Sequence, residues 1–316
     1  MKLVFLDRQT LAPSVTLRRP AFDHDWQEYA ETAPDQVVAR LQQAEVAIVN
    51  KVHIGAAELA RLPGLKLIAL AATGSDNLDL AACRAAGVAV CNIRNYSESA
   101  VPEHALSLMM ALSRNLPAYR RSVADGRWQQ SGQFCYFDYP VRDLKGQTLG
   151  LIGYGTIAQD LARLVRALGM SVIVAARKGQ PATEGRLPFE QVLAEADVLS
   201  LHCPLTPETR HLIGAAELAM MKPDALLINV GRGGLVDEQA LLTALQQQRI
   251  GGAGFDVVSA EPPPADHPLM QALQYPNFIL TPHIAWASRA SMQRLADQLI
   301  DNIEAFAKGR EQNRLV

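Results

Sequence analysis

Residues 148–158 read TLGLIGYGTIA, and this stretch decides the fold of the chain. The apolar run TLGLI predicts a buried strand, and the pattern Gly153-x-Gly155-x-x-Ala158 follows it directly. The first glycine permits a tight turn, the second lets the backbone approach a pyrophosphate, and the small third residue packs the next helix on the strand. Apolar residues at helical spacing then continue to Gly169. The stretch predicts a dinucleotide-binding loop; the alternative is a glycine turn without a ligand.

Short apolar runs alternate with helix-like segments on both sides of this stretch. Before it, the runs are LVFL near Leu3, VAIV near Ile48, LIAL near Ile68 and VAV near Val88. Between residues 148 and 280 they are TLGLI, SVIVAA, ADVLSL, ALLINV, AGFDV and NFIL. Such alternation is typical of parallel sheets covered by helices, and a doubly wound dinucleotide domain uses six strands. The sequence therefore predicts an α/β protein.

Two long amphipathic helices are also expected. One runs from Val101 to Leu116 with Pro102 in its first turn, where proline is tolerated, and an aromatic, turn-rich segment follows it. The other starts at Ser288 and ends at Lys308-Gly309. Because this last helix lies outside the six-strand set, we expect it to return to the first domain.

Composition limits the classes of protein to consider. A chain of 316 residues exceeds the usual size of one hydrophobic core, so we expect two domains. The net charge of -2 provides no basic field for nucleic acid, and no apolar run approaches the roughly 18 residues of a membrane span. The first residues lack the apolar core of a secretion signal, which favours a cytoplasmic protein.

The cysteines indicate neither a metal site nor a redox pair. They are widely separated and form no CxxC motif: Cys83, Cys91, Cys135 and Cys203. We expect reduced thiols and no bound metal. A single nucleophilic cysteine is the alternative, although a small buried cysteine is the commoner case.

The end of the second strand of the dinucleotide domain bears on the cofactor. An acidic residue that binds the ribose hydroxyls of NAD is usual there, but this chain has Ala176, followed by Arg177 and Lys178. Two cations suit a 2′-phosphate better than a bare ribose. The sequence therefore favours NADP(H), with NAD(H) as the second choice; alternatively, both cations are solvated loop charges.

Three potentially reactive side chains follow the late strands of the same set. Arg232 follows ALLIN within a glycine turn, Glu261 follows AGFDVV, and His283 follows NFIL. Open parallel sheets bind ligands at the carboxyl ends of their strands, so we expect the three at one edge. Taken singly, each has an ordinary explanation: a surface cation, an acid at a helix start and a satisfied loop histidine.

Together, the three residues meet the needs of 2-keto acid reduction. An arginine offers a bidentate fork to the carboxylate, and a histidine donates a proton to the carbonyl oxygen near neutral pH. A neighbouring carboxylate favours the protonated imidazole. We therefore predict a nicotinamide-dependent oxidoreductase that acts on a small 2-keto or 2-hydroxy acid.

Several segments carry a family resemblance through nearly the whole chain. GLIGYGTIA, HCPLTPETRHLI, MKPDALLINVGRGGLVDE, GFDVVSAEPPP and TPHIAWAS resemble the D-isomer-specific 2-hydroxyacid dehydrogenases. AATGSDNLDL (residues 71–80) and NYSESAVPEHA (residues 95–105) resemble the substrate loop and the start of a long helix in that family. The resemblance implies two doubly wound domains: a flavodoxin-like, discontinuous substrate domain of residues 1–98 and 288–316, and a Rossmann domain of residues 99–287.

The resemblance also assigns roles. Arg232 would bind the substrate, Glu261 would pair with His283, and His283 would be the acid and base. Further substrate contacts are expected from Lys51, Gly74 and Ser75. Expected cofactor contacts are Gly153, Gly155, Thr156, Ile157, Ala176, Arg177, Lys178, His202, Cys203, Pro204, Val230, Gly231, Arg232 and Asp256, the last of these binding the nicotinamide carboxamide.

Within the family, the chain looks most like the glycerate dehydrogenase or hydroxypyruvate reductase branch. The signals are Asn50-Lys51-Val52 and Trp286, although Lys51 could be a surface residue and Trp286 a packing residue. A homodimer is expected around the Val101 helix and the aromatic residues that follow it, Trp128, Phe134, Tyr136, Phe137 and Tyr139. Two departures from the family pattern are Ala176 in place of the ribose acid and Pro102 in place of alanine.

Two rival hypotheses remain at this level. A non-catalytic NAD(P)-sensing protein would have the same fold, but it has no need of an Arg, Glu and His arranged for proton transfer. Formate or phosphonate oxidation occurs in proteins with the same motifs, but the formate branch has Gln next to its histidine and additional N-terminal sequence.

Overall fold

A computed structural model describes residues 1–316, which form two compact units. One unit contains Met1–Ser97 and Ala287–Val316, and the other contains Glu98–Trp286. The strands are β1 Lys2–Phe5, β2 Asp25–Glu28, β3 Val46–Val49, β4 Leu67–Leu70, β5 Ala89–Cys91, β6 Thr148–Ile152, β7 Ser171–Val174, β8 Val198–Leu201, β9 Leu226–Asn229, β10 Gly252–Phe255 and β11 Phe278–Leu280. The helices are α1 Val37–Leu41, α2 Ala56–Leu59, α3 Leu80–Ala85, α4 Ala100–Ser113, α5 Leu116–Ala124, α6 Arg127–Ser131, α7 Thr156–Ala167, α8 Phe189–Glu195, α9 Ala215–Met220, α10 Glu238–Gln246, α11 Pro268–Ala272 and α12 Arg289–Ala307.

The first unit is built on a five-stranded parallel sheet. Its strand order is β2-β1-β3-β4-β5, the flavodoxin-like order, and β3 and β4 are buried along their whole length. Strand β2 was not predicted, because its residues Asp-Trp-Gln-Glu are mostly exposed at the sheet edge. A polar edge strand gives no apolar run for the sequence to reveal.

Helix α12 packs in this first unit, against β4. Ser288 caps it by accepting a hydrogen bond from the Ser291 backbone N–H, and Gly309 follows its end with a φ of 69°. The predicted start at Ser288 and stop at Gly309 are therefore confirmed. The buried face of the helix includes Leu295 and Leu299.

The second unit is built on a six-stranded parallel sheet with the order β11-β10-β9-β8-β6-β7. All six predicted strands are present, and the expected α/β class with two doubly wound parallel sheets is confirmed. The sheet differs from the usual dinucleotide order beyond β7, where a third strand is reduced to one parallel bridge between Ala175 and Leu187. The strand order reverses between β6 and β8, which defines the switch point at their carboxyl ends.

Helix α4 packs against β9, β10 and α7 in the second unit. It is shorter than predicted, because the chain leaves the helix after Ser113 and Asn115 adopts a left-handed φ of 48°. A new helix, α5, begins at Leu116 with proline in its first turn. No helix in the chain has both the length and the apolar character that crossing a membrane requires.

Candidate active site

The glycine loop after β6 has the geometry of a phosphate-binding turn. Gly153 has a φ of 87°, and a Cβ atom there would lie 2.7 Å from the backbone nitrogen of Cys203. Only glycine fits both the backbone conformation and this close approach. A Cβ on Gly155 would have no neighbour within 4 Å, and Ala158 is fully buried. The loop is thus tight on the side of β8 and open at the second glycine.

Helix α7 begins immediately after this loop, with Thr156 and Ile157 as its first residues. Its N-cap, Gly155, is extended, and no side chain caps the helix. The N–H groups of the first turn and the positive end of the helix dipole are therefore available to an anion. These features fit the pyrophosphate of a dinucleotide.

The loop after β8 contains the predicted contacts His202, Cys203 and Pro204. The His202 backbone N–H donates to the Ile152 carbonyl at 2.8 Å, so this loop lies beside the end of β6. The ring is 2.9 Å from the Ser200 hydroxyl, and burial lowers the pKa of His202 to about 4. The imidazole is therefore neutral at neutral pH.

The end of β7 separates the two predicted cations. Lys178 forms an ion pair with Glu217 at 2.7 Å, whereas Arg177 is exposed and makes no ion pair. Ala176 is buried and its backbone N–H donates to the Leu187 carbonyl. Sequence reasoning missed Arg186, whose guanidinium donates to the Ala175 carbonyl at 3.0 Å. Only the bridge to Leu187 brings this arginine to the end of β7, so no local signal could have found it.

The loop after β9 presents Val230, Gly231 and Arg232. The Asn229 side chain shapes the loop, because its amide donates to the Arg232 carbonyl at 2.8 Å and its oxygen accepts from the Gly231 N–H at 3.1 Å. The Arg232 guanidinium is half-buried and donates to the Gly231 carbonyl. A short 3-10 turn over Gly233–Leu235 leads into α10.

His283 and Glu261 form a close pair at the same sheet edge. The Nδ1 atom of His283 lies 2.6 Å from a carboxylate oxygen of Glu261, and both side chains are partly exposed. His283 has a left-handed φ of 54°, a conformation that is uncommon for residues other than glycine, although asparagine, aspartate and histidine adopt it more often than the rest. Its backbone N–H donates to the Asp256 carbonyl, and its own carbonyl accepts the Trp286 indole N–H. These bonds hold the left-handed backbone from which the ring projects.

Asp256 is almost fully buried, with 1% of its surface exposed, and holds the turn behind His283. Its carboxylate accepts from the Thr281 hydroxyl at 2.5 Å and from the backbone N–H groups of Ile284 and Ala285 at 2.9 and 2.8 Å. The carboxylate was expected to bind the nicotinamide carboxamide. Two of its three hydrogen bonds come from backbone N–H groups and one from the Thr281 side chain, and the contact with the carboxamide stays a prediction.

His104 on α4 joins this cluster and was not predicted from the sequence. Its Nε2 atom lies 2.9 Å from the Thr281 hydroxyl and 3.6 Å from the Asp256 carboxylate. Its position in an apolar helical repeat gave no sign of a polar contact. The contact depends on the packing of α4 against the late strands.

The remaining predicted residues lie in the first unit. Lys51 follows β3, while Gly74 and Ser75 follow β4, so all three lie at the carboxyl edge of that sheet. Asp7 organises this edge by accepting backbone N–H bonds from Asn50, Lys51 and Val52. Burial raises the pKa of the Asp7 carboxyl, and the three amide bonds oppose that effect.

Comparisons with known proteins agree with this geometry. The family model for the D-isomer specific 2-hydroxyacid dehydrogenase, NAD binding domain, matches residues 106–285. The glycerate dehydrogenase of Methylorubrum extorquens is 52% identical over 99% of this chain and 98% of its own length. The hydroxypyruvate reductase of Blautia hydrogenotrophica is 32% identical over 99% of both chains.

A solved structure extends the likeness to the whole fold. The solved structure of an acyclic imino acid reductase (Bsp5) in complex with NADPH and D-Arg superposes with a TM-score of 0.84 at 26% identity, and the match covers 100% of both chains. The resemblance inferred from the sequence motifs is thus confirmed. The chain belongs to the D-isomer specific 2-hydroxyacid dehydrogenases and is an NAD(P)-dependent oxidoreductase that interconverts 2-keto acids and D-2-hydroxy acids.

Proposed function

We propose that the chain reduces a small 2-keto acid, hydroxypyruvate or glyoxylate, with His283 as the proton donor. The observation that carries this proposal is the 2.6 Å contact between His283 Nδ1 and Glu261. The glycerate dehydrogenase at 52% identity and the hydroxypyruvate reductase at 32% identity favour these substrates. The NAD(P)-sensing alternative is set aside, because the chain belongs to an enzyme family.

The contact defines what each nitrogen of the ring does. Because Nδ1–H donates to Glu261, Nε2 is the nitrogen that gives its proton to the carbonyl oxygen in reduction and takes a proton from the hydroxyl in oxidation. The Glu261 charge stabilises the imidazolium that reduction consumes. Arg232 binds the substrate carboxylate through its rigid fork and orients the carbonyl carbon.

Lys51, Gly74 and Ser75 complete the proposed substrate contacts. Asp7 supports this role, because it fixes the backbone on both sides of Lys51. The Asn77 amide donates to the Val52 carbonyl at 2.8 Å and thereby links the Lys51 loop to the loop that contains Gly74 and Ser75. A fixed backbone can present N–H donors to an anion without further ordering.

The nicotinamide dinucleotide supplies the hydride in reduction and accepts it in oxidation. The glycine loop and the start of α7 are proposed to hold its pyrophosphate. We favour NADP(H), because Arg177 has no ion-pair partner and Arg186 lies beside the same strand end. Lys178 pairs with Glu217 at 2.7 Å, so we rank it below Arg177 and Arg186 as a phosphate contact. The peptide N–H bonds on Asp256 support a role in holding the His283 turn.

We also propose a homodimer formed through α4–α6 and the segment that follows them. Several large apolar side chains of this region are exposed: Met110, Leu116, Val123, Trp128, Phe134, Phe137 and Val141. Phe134 and Phe137 are 92% and 85% exposed, which is costly in water. Tyr136 and Tyr139 instead pack edge-on against Tyr119 and stabilise the segment itself.

The four free cysteines fit the proposed cytoplasmic location.

Steady-state kinetics test the substrate and the cofactor together. The purified protein is assayed with hydroxypyruvate, glyoxylate, pyruvate and phenylpyruvate, each with NADH and with NADPH. We expect the highest kcat/KM with hydroxypyruvate or glyoxylate and NADPH. Absence of turnover with all four acids and both cofactors would contradict the proposal.

A further inference from the structure

A buried polar cluster, separate from the group around Asp256, contacts the loop that contains Glu261. Glu238 and His267 are 7% and 6% exposed, and the Nε2 atom of His267 lies 3.0 Å from the Glu238 carboxylate. The Leu269 backbone N–H donates to Nδ1 of the same ring at 3.2 Å, so the ring proton is on Nε2 and is directed at Glu238. None of these groups belongs to the proton donor, the substrate clamp or the nucleotide loop.

Glu238 also binds the loop that contains Glu261. Its two carboxylate oxygens accept from the Ser259 backbone N–H at 2.8 Å and from the Ser259 hydroxyl at 2.5 Å. The adjacent Val258 N–H donates to one oxygen of Glu261 at 3.2 Å, and the other oxygen of Glu261 contacts His283. An unbroken sequence of contacts therefore connects Glu238 with the proton donor.

Glu238 also connects the Arg232 loop with the loop that contains Glu261. Glu238 is the first residue of α10, which follows the Arg232 loop by way of a 3-10 turn. Within that turn, a Cβ atom on Gly233 would overlap the peptide between Val258 and Ser259, so the two loops touch through their backbones. This backbone contact leaves no space for a side chain at position 233. Glu238 fixes how the two loops align, because it belongs to the segment after one loop and binds Ser259 in the other.

We propose that Glu238 is a positioning residue for the proton donor: through Ser259 it holds the Val258 N–H against Glu261 and so sets the Glu261–His283 geometry. The inference rests on the proposed role of His283. Besides Glu261, two titratable groups contact the turn that contains His283: Asp256 accepts from the Ile284 N–H, and His104 lies 3.6 Å from Asp256. Both act on the backbone turn rather than on Nδ1.

Glu238→Gln in the full chain tests the proposal. A glutamine keeps the volume but replaces one accepting oxygen by an NH2 group, which cannot accept from Ser259 or His267. We therefore expect the Ser259 loop to shift. We expect reductive kcat/KM to fall about tenfold, with KM for the cofactor within about twofold. The pH at which reductive activity is halved should move down by about 0.5 unit, because a displaced Glu261 stabilises the imidazolium less.

A titration that needs no turnover separates this inference from the proposed function. The chain has seven histidines, and loss of one signal in His283→Gln identifies the His283 resonance in a histidine-labelled NMR spectrum. Its midpoint should move down in Glu238→Gln and further down in Glu261→Gln. The double variant should match Glu261→Gln alone, because Glu238 acts only through Glu261. An unchanged midpoint in Glu238→Gln, or additive shifts in the double variant, would overturn the proposal.

Two further variants cover a purely structural role and a folding failure. Asp197→Asn removes a carboxylate that binds Thr148 N–H and Lys222 at the opposite edge of the sheet, and it should lower stability without moving the midpoint. Ser259→Ala removes a hydroxyl from an exposed residue and should shift the midpoint in the same direction by a smaller amount. If Glu238→Gln does not fold, a wild-type midpoint in Ser259→Ala overturns the proposal.

Discussion

The carboxyl edge of the sheet in the second unit has two contrasting portions. The loops after β9, β10 and β11 are called the catalytic edge, and the loops after β6, β7 and β8 are called the nucleotide edge. At the catalytic edge, protein donors already bind Asp256, Glu238 and Glu261. At the nucleotide edge, no side chain caps α7 and no acid pairs with Arg177. The catalytic edge is thus ordered by its own hydrogen bonds, whereas the nucleotide edge leaves donors for anions.

The histidines of the two edges also have different polar partners. His283 has a carboxylate at 2.6 Å, whereas the polar partner of His202 is the Ser200 hydroxyl at 2.9 Å. A carboxylate stabilises an imidazolium, and a buried hydroxyl site does not. Changes at the catalytic edge should therefore alter rate and its pH dependence, while changes at the nucleotide edge should alter cofactor affinity and stability.

The largest effect is expected for His283→Ala. Removal of the proton donor should lower kcat for reduction about 100-fold to 10,000-fold, the usual range for a positioned acid. Fluorescence titration should find cofactor affinity nearly unchanged, because the nucleotide edge is intact. His211→Asn is the control: His211 is exposed, and asparagine tolerates its left-handed φ of 51°. Full activity in His283→Ala would refute its assignment.

Glu261→Gln should have the next largest effect. Glutamine keeps the hydrogen-bonding shape but loses the charge that stabilises the imidazolium, so reductive kcat/KM should fall about 10-fold to 100-fold. The loss should grow as pH rises, because the protonated form is required. Glu190→Gln is the matched control on an exposed position of α8. A pH-independent loss would show that Glu261 acts through packing alone.

His202→Asn should change the pH dependence of stability. Burial lowers the pKa of His202 from 6.5 to about 4. Between these pH values the imidazole of residue 202 is protonated in the unfolded chain and neutral in the folded chain. This contribution to stability is present above pH 6.5 and is lost as the pH falls towards 4. From pH 7 to 4.5, the free energy of unfolding should fall by about 2 kcal/mol more in wild type than in the variant. Urea unfolding at both pH values measures the difference, and equal falls would contradict it.

Arg177→Ala should have the smallest effect, confined to the cofactor. If the guanidinium meets a 2′-phosphate, KM for NADPH should rise about fivefold to tenfold, with KM for NADH within about twofold. Arg166→Ala, an exposed arginine near the end of α7, is the control for a general loss of positive charge. Equal changes of KM for NADPH and NADH would show that Arg177 is a solvated charge without a contact to the 2′-phosphate.

The sequence predicted the elements with strong local signals. The glycine loop, the six apolar runs and the capped α12 all have patterns confined to a few residues. The strand β2 and the break after Ser113 were missed, because an exposed polar strand and a left-handed asparagine leave no apolar period. Arg186 and His104 could not be predicted, since each reaches its site through a contact between distant segments.

The sequence by itself determined the α/β class, the dinucleotide loop and which side chains follow the late strands. These features depend on local backbone geometry and on the rule that parallel strands end at one edge. Only the tertiary structure decided how the charges are paired. Lys178 pairs with Glu217, and the Asp256 carboxylate accepts from backbone N–H groups that follow His283. Glu238 binds Ser259 in the loop that contains Glu261. Pairing depends on distances between loops from different strands, and those distances are set by packing.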